Sequence, residues 1–345
     1  MERIRIGVIG AGGIFRGAHL PAYKELSDAV QVRWVCDLDE SRAREGAEKV
    51  GARWTTRLEE VLEDEEVDAV DICTPKHRRI VEEAATASKH ILCEKPLEFS
   101  LEDCDACIEA ARKAKVILMV AENYLFDPVI MEVEKALNEG RLGELRRIRL
   151  FQGWKGAPPG SWRRRRETAG GGCLMDDGIH LIALVRHFMG EPVKLHALVK
   201  RFGAPEGTDV ENQAALIMDF PDGGMGVVEA GLDIQQGLFR FEFHGDKGSA
   251  FYESSGGRRE LRILSDPPSS PPVPPRFPSI ESYRNEIAHF LECVARLKMP
   301  IYGGEDSRRE VELVLAAYRS SLSGEAVDVA STECNREKAE GKLPG

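Results

Sequence analysis

The chain has 345 residues, 42% of them hydrophobic and 30% charged, a balance that buries a sizeable core and is long enough for two domains. A formal net charge of -11 opposes nucleic-acid binding, which needs a basic face to displace phosphate counterions. No apolar run approaches a membrane span, and Met1-Glu2-Arg3 leads straight into a strand, so no anchor or signal peptide is expected and the cytoplasm is the expected location.

Roughly the first 120 residues alternate apolar runs with amphipathic stretches, the pattern of parallel strands joined by helices. Strands are expected over 3–9, 31–36, 67–73, 90–93 and 116–120, with helices over 41–50, capped by Ser41, and 80–88. Right-handed crossovers make this a doubly wound α/β domain, assigned to residues 1–123. From about Arg146 the segments lengthen and alternate: 147–152, 193–200, 213–220, 226–232, 239–244 and 260–264, separated by turns such as Pro221-Asp222-Gly223-Gly224. They predict an α+β domain over 124–331 with a mainly antiparallel sheet. The proline-rich stretch 267–275 is expected to be an exposed loop without strand hydrogen bonds, followed by helices over 280–297 and 307–321 and a polar, frayed tail over 332–345.

Gly10-Ala11-Gly12-Gly13 follows the first strand and opens a helix, so its amides can face a pyrophosphate. An ordinary strand-to-helix turn is the competing reading, and Phe15 occupies the place of a third glycine. Asp37 ends the second strand, where a carboxylate accepts from both adenosine ribose hydroxyls and repels a 2′-phosphate. NAD is therefore favoured over NADP, with Arg42 close enough in sequence to bear on the choice. Cys73-Thr74-Pro75 ends the 67–73 run and exposes a loop for the nicotinamide half of the cleft; His77 in it is either a cofactor contact or a solvated residue.

Glu94-Lys95-Pro96 closes the apolar run that begins at His90, which puts a lysine at the carboxyl end of a buried strand, where open α/β sheets bind ligands. Its ammonium is a candidate catalytic cation; a lysine snorkelling from a strand end is the alternative. Eight cysteines lie at 36, 73, 93, 104, 107, 173, 293 and 334, several inside strand-like runs, as reduced buried thiols do. Cys104-x-x-Cys107 has no second pair and lies on a helical pattern, so core packing is preferred to redox or zinc chemistry.

The run Gly170-Gly171-Gly172 leads into a helix on which Asp176 and His180 stand four residues apart, on one face of an α-helix. A carboxylate there can fix the tautomer of a histidine base, and Asp177 competes for that place. No third or fourth ligand accompanies the pair, so no metal is expected. Trp154, Trp162 and Arg163-Arg164-Arg165-Arg166 precede the glycine run; indoles could stack on sugar faces and arginines could hold a carboxylate or phosphate, against the reading of a solvated basic loop.

Together these residues resemble the glucose-fructose oxidoreductase, inositol dehydrogenase and rhizopine-catabolism (Gfo/Idh/MocA) family of NAD(P)-dependent oxidoreductases. The likeness runs from the glycine turn with Ile14 and His19-Leu20-Pro21, through Thr74-Pro75 and Glu94-Lys95-Pro96, to Asp176 and His180 and on to Phe290, Pro300 and Gly324-Glu325-Ala326-Val327. It implies a Rossmann domain followed by an open-faced antiparallel sheet, with Lys95, Asp176 and His180 catalytic. Cofactor contacts are implied from Gly10, Gly12, Gly13, Ile14, Phe15 and Asp37, from Cys73, Thr74, Pro75 and His77, and from Glu94, Lys95 and Asn123. Substrate contacts are implied from Lys95, Trp162, Arg163, Asp176 and His180.

The expected activity is hydride transfer between NAD and a secondary alcohol of a sugar, cyclitol or sugar acid, in a homodimer or homotetramer formed through the second sheet. An NAD-dependent glycosidase acting by transient oxidation is the first alternative. A non-catalytic sensor of the same fold is the second. The chain departs from the family pattern at Phe15, at Arg79, where a loop histidine is common, and at Ala183, where an aspartate is frequent.

Overall fold

Ile4–Ile9 (β1), buried from Ile6 onward, lies near the middle of a parallel sheet. Val30–Cys36 (β2), Arg53–Thr55 (β3), Ala69–Ile72 (β4), His90–Glu94 (β5) and Leu118–Ala121 (β6) complete it in the order β3-β2-β1-β4-β5-β6. Every neighbouring pair is parallel, and β4 and β6 are buried along their whole length, as strands covered on both faces must be. The order reverses between β1 and β4, the switch point of a doubly wound sheet. This computed structural model describes residues 3–274 and 276–330; Pro275 and the tail expected over 332–345, with Cys334, lie outside the described residues.

Five of the six strands fall on expected runs. The sixth, β3, is three residues long and exposes Arg53 and Trp54, so it leaves no apolar run to read. The helix expected from Ser41 spans Glu40–Glu48, and its cap is Asp39 instead: Asp39 keeps an extended backbone while its carboxylate accepts from the Ser41 and Arg42 amides.

Phe15 is fully buried, and the helix Glu40–Glu48 makes room for it. A Cβ on Gly46 would lie 3.1 Å from Phe15 Cε1, 3.2 Å from Val35 Cγ1 and 3.6 Å from Ala11 Cβ. The glycine that permits close packing has moved from the turn to the helix facing it. Gly46→Leu is expected to overpack this contact and cost about 1–3 kcal/mol. A thermal melt unchanged by the substitution would show that the space is not used in this way.

The second sheet contains Leu145–Lys155 (β7), Lys194–Lys200 (β8), Gln213–Asp219 (β9), Met225–Gly231 (β10), Asp233–Gly245 (β11), Ser249–Ser255 (β12), Arg258–Leu264 (β13) and Val327–Asp328 (β14). Its order is β13-β12-β11-β7-β10-β9-β8-β14, antiparallel except between β7 and β10. Strict alternation gives it two unlike faces. Ile148, Leu150, Leu216, Val228, Phe241 and Phe243 are buried on one, with the helix Ile179–Met189 against β7 and β10. The other face carries Leu198 and Ile217, both more than half exposed, and the cross-strand pairs Arg149–Glu229 and Arg240–Glu253.

The proline-rich stretch does supply strand hydrogen bonds, contrary to expectation. Ser269, which unlike its proline neighbours has an amide hydrogen, exchanges bonds of 2.7 and 2.9 Å with Ile263. Cys104 and Cys107 are both fully buried on the helix Leu101–Ala114. No helix among the described residues is long and apolar enough to cross a membrane.

Two compact units divide the chain. One contains the residues up to Pro128 together with Pro278–Val311; the other contains Val129–Phe277 and the residues from Glu312. The span 124–331 is thus interrupted, because the helix Ile280–Arg296 belongs with the parallel sheet: Asp127 accepts from the Ser279 amide at 2.8 Å, and Asn123 donates to Ser282 at 3.0 Å.

Candidate active site

In the first unit the glycine turn leaves the carboxyl end of β1. Gly10 has a φ of 99°, and a Cβ there would lie 2.9 Å from the Cys73 carbonyl carbon, so backbone and space both demand glycine. At Gly12 and Gly13 a Cβ would meet nothing within 4 Å, which leaves the turn open for the close approach of a phosphate. The Ala11 amide donates to Asp37 Oδ2 at 2.8 Å and the Asp39 amide to Oδ1 at 2.9 Å, so the carboxylate after β2 is anchored to the turn. Arg42 is drawn to Asp39 at 3.4 Å. An open turn beside an anchored carboxylate fits the adenosine pyrophosphate half of a dinucleotide. Ile14 is half-buried, whereas the Phe15 side chain is in the core and only its backbone is left for a cofactor.

The loops after β4 and β5 are tied together. His77 is buried rather than solvated: its ring nitrogens lie 2.6 Å from the Thr74 carbonyl and 2.9 Å from the Leu97 carbonyl, and its amide donates to Glu98 at 2.7 Å. That brace joins the Thr74-Pro75 loop to the segment carrying Lys95. Glu94 is buried; one of its oxygens accepts from the Lys95 amide at 3.2 Å and the other lies 3.0 Å from His19 Nε2. Burial, reinforced by Asp71, pushes the Cys73 thiol up and keeps it neutral. Asn123 is buried against Ser282.

In the second unit Leu174–Gly178 forms a π-turn that opens the helix Ile179–Met189. Such turns widen the ring from i+4 to i+5 and so shift the phase of the residues they carry. Asp176 is partly exposed and pairs with Arg163 at 3.1 Å. Asp177 is buried and accepts from Gln152 and from the Trp154 indole, each at 2.9 Å, so its orientation is fixed by two side chains of β7. His180 is buried on the following helix.

The four arginines are neither alike nor merely solvated. Arg163 stacks on Trp162 with its guanidinium carbon 4.5 Å from the ring centre as well as pairing with Asp176. Arg164 donates to the Ala157 and Pro158 carbonyls and to Thr208, Arg165 meets Asp209 at 3.4 Å, and Arg166 meets Glu211 at 3.7 Å. Glu211 itself is buried and anchors the glycine run. Its Oε1 accepts from the Gly172 amide at 2.8 Å, the Leu174 amide at 3.2 Å and the Tyr318 hydroxyl at 2.8 Å. Gly172 is obligatory there, since a Cβ would lie 1.8 Å from the Glu211 carbonyl oxygen.

Residues 4–122 match the model of an oxidoreductase family with an NAD-binding Rossmann fold, and residues 130–251 match the GFO/IDH/MocA C-terminal domain. The chain is 32% identical over 330 residues to a myo-inositol 2-dehydrogenase of Thermotoga maritima, covering 92% of this chain and 96% of the relative. The chain belongs to the Gfo/Idh/MocA family of oxidoreductases. A scyllo-inositol 2-dehydrogenase (NAD(+)) of Bacillus subtilis is 30% identical over 339 residues, covering 95% and 97%. A levoglucosan dehydrogenase solved with NADH and levoglucosan superposes with a TM-score of 0.87 at 25% identity, over 95% of this chain and all of that one.

As a Gfo/Idh/MocA oxidoreductase the chain uses NAD, for which the open turn and anchored Asp37 are suited. Sequence reasoning brought out Gly10, Asp37, Lys95 and the Asp176-to-His180 segment because each is a local motif. It weighed Asp177 only as a competitor of Asp176, quoted His19 only as part of the resemblance, and gave Glu211 no place. The available signal was a polar residue at a position whose neighbours are buried: Gln152 faces inward on β7, and His19 is followed by Leu20 in a wholly buried stretch.

Proposed function

We propose that this oxidoreductase transfers hydride between NAD and a secondary alcohol of a sugar, cyclitol or sugar acid, with the unit that contains the parallel sheet binding the dinucleotide and the unit that contains Val129–Phe277 contributing substrate side chains. The observation that carries this reading is the anchored Asp37 at an open glycine turn, in a chain that also presents a strand-end lysine held by its own glutamate. Relatives named for inositol and levoglucosan support the substrate class. NAD, when bound, supplies the hydride acceptor. His180 takes the hydroxyl proton at a ring nitrogen, Lys95 stabilises negative charge on the substrate oxygen, and Asp176 orients the histidine. Trp162 and Arg163 contribute to substrate binding, with Arg163 free to exchange its pairing to Asp176 for an acidic group on the substrate.

We further propose a cytoplasmic homodimer or homotetramer formed through the exposed face of the second sheet, whose Leu198 and Ile217 offer apolar contact among paired charges. The function is tested by following NAD and NADP reduction across polyols, uronic acids and nucleotide sugars, after assaying the purified protein for retained cofactor. Net NADH accumulation supports the dehydrogenase. Bond cleavage without net cofactor change would establish the glycosidase instead, and nucleotide binding without turnover would establish a sensor. Asp37→Ser is expected to lower NAD affinity and to improve use of NADP relative to NAD by about tenfold or more, because a charge-assisted pair to ribose and a repulsion of 2′-phosphate are both removed. Unchanged preference in paired kcat/KM measurements would remove Asp37 from that role.

A further inference from the structure

His19 belongs to no step of the chemistry above, yet it is fully buried and holds two carboxylates at once. Its Nδ1 lies 2.8 Å from Asp71 Oδ2 and its Nε2 lies 3.0 Å from Glu94 Oε1. Asp71 is on β4 and Glu94 ends β5, adjacent strands of the sheet, so one ring links two strands near the ends that face the loops. Asp71 is further held by the Tyr23 hydroxyl at 2.8 Å and the Cys73 thiol at 3.5 Å.

A ring that faces an acceptor at each nitrogen satisfies both only when both nitrogens carry hydrogen, which makes it a cation. Burial opposes that charge, but the Asp71 carboxylate at hydrogen-bond distance outweighs it and holds the imidazole well above its ordinary range. A third carboxyl, Glu286, is wholly buried nearby on the helix Ile280–Arg296 with neither oxygen hydrogen-bonded. Burial first, and the neighbouring Glu94 next, push its carboxyl up towards the neutral form, and no hydrogen bond ties it to the ring, whose nitrogens face Asp71 and Glu94.

We propose that His19 is a positioning residue for Lys95: its imidazolium clamps Asp71 and Glu94, and the free oxygen of Glu94 then fixes the Lys95 amide. The inference rests on the catalytic role given to Lys95 above. His77 makes a second brace between the same two loops, from the Thr74 carbonyl to the Leu97 carbonyl, so Lys95 lies in a segment tied on both sides. The nearest ligating atoms of His19, Asp71 and Cys73 lie within 4.8 Å of one another, a spacing a metal ion could also use. The hydrogen bonds already formed among them, and the engagement of Nε2 with Glu94, favour the clamp.

The test compares His19→Gln, Glu94→Gln, their double variant and Lys95→Ala, using the polyol returned by the substrate screen and NADH fluorescence titration. Misplacing a reacting group costs up to about 100-fold, so His19→Gln should lower kcat by about 10- to 100-fold. KM for NAD and the Kd for NADH should move by less than about threefold, and the double variant should be no slower than the worse single one. A wild-type kcat in His19→Gln, a matched loss of kcat and NADH affinity, multiplying effects in the double variant, or stoichiometric metal in the purified protein would each overturn the clamp. If His19→Gln does not fold, Glu94→Gln decides: lost kcat with intact NADH binding supports the clamp, and unchanged kcat overturns it. An active Lys95→Ala would overturn the role of Lys95 and the clamp with it, whereas an inactive one beside a normal His19→Gln would overturn the clamp alone.

Discussion

Replacing His180 with alanine is expected to lower kcat by about 10² to 10⁴-fold, the usual contribution of a positioned general base. NADH binding should be unaffected, because the glycine turn and Asp37 belong to the other compact unit. The imidazole is buried on a helix whose preceding turn is pinned by Glu211, so its aim is set by the fold and not by a mobile loop. Steady-state kinetics on the substrate found by screening, beside a fluorescence titration with NADH, separates the two effects. A variant with wild-type turnover would take His180 out of the base role. Loss of NADH binding in step with turnover would point to a folding defect.

Glu211→Ala should be the most damaging single change in the second unit. It leaves the Gly172 and Leu174 amides and the Tyr318 hydroxyl without their shared acceptor. A buried donor left unsatisfied costs about 1–3 kcal/mol, and removing the glutamate also relieves the burial of its own charge, so a net loss of about 2–4 kcal/mol is expected. Glu211→Gln keeps an acceptor oxygen for the three donors and gives up only the pair with Arg166, which is half exposed and worth little. It should retain most of the stability and activity. Urea unfolding of the two variants beside the wild type checks this; equal midpoints in all three would mean that the glycine run is held by something else.

The parallel sheet was legible because most of its strands are short, largely buried and closed by turn residues; boundaries moved by a residue or two at β1, β2, β4, β5 and β6. Ser249–Ser255 escaped because the apolar part of its sequence is only Ala250-Phe251-Tyr252, with Phe251 on the outward face and serine or glutamate at the other outward positions. The candidate site was readable where its motifs are local, as at Gly10, Asp37 and Lys95, whose roles are those proposed above. It was not legible where partners lie far apart: His19 meets Glu94 across 75 positions, and Glu211 meets Gly172 across 39. The spacing of Asp176 and His180 assumed a regular α-helix, and the π-turn at Leu174–Gly178 lies across that interval. Neighbour patterns carry no record of such pairings, which depend on how strands and loops are brought together.

The return of Pro278–Val311 to the first unit sets the order in which that unit can be finished on the ribosome. The six parallel strands are all synthesised by Ala121, but the helix Ile280–Arg296, with Glu286, follows roughly 150 residues later. At about 5–20 residues per second, the nascent sheet waits on the order of 8–30 s for that helix. Through that interval the His19, Asp71 and Glu94 cluster lacks part of its native enclosure, so assembly of the nucleotide-binding half is tied to synthesis of nearly the whole chain. For the same reason a chimaera that exchanges this half with another oxidoreductase has to carry two segments of sequence rather than one.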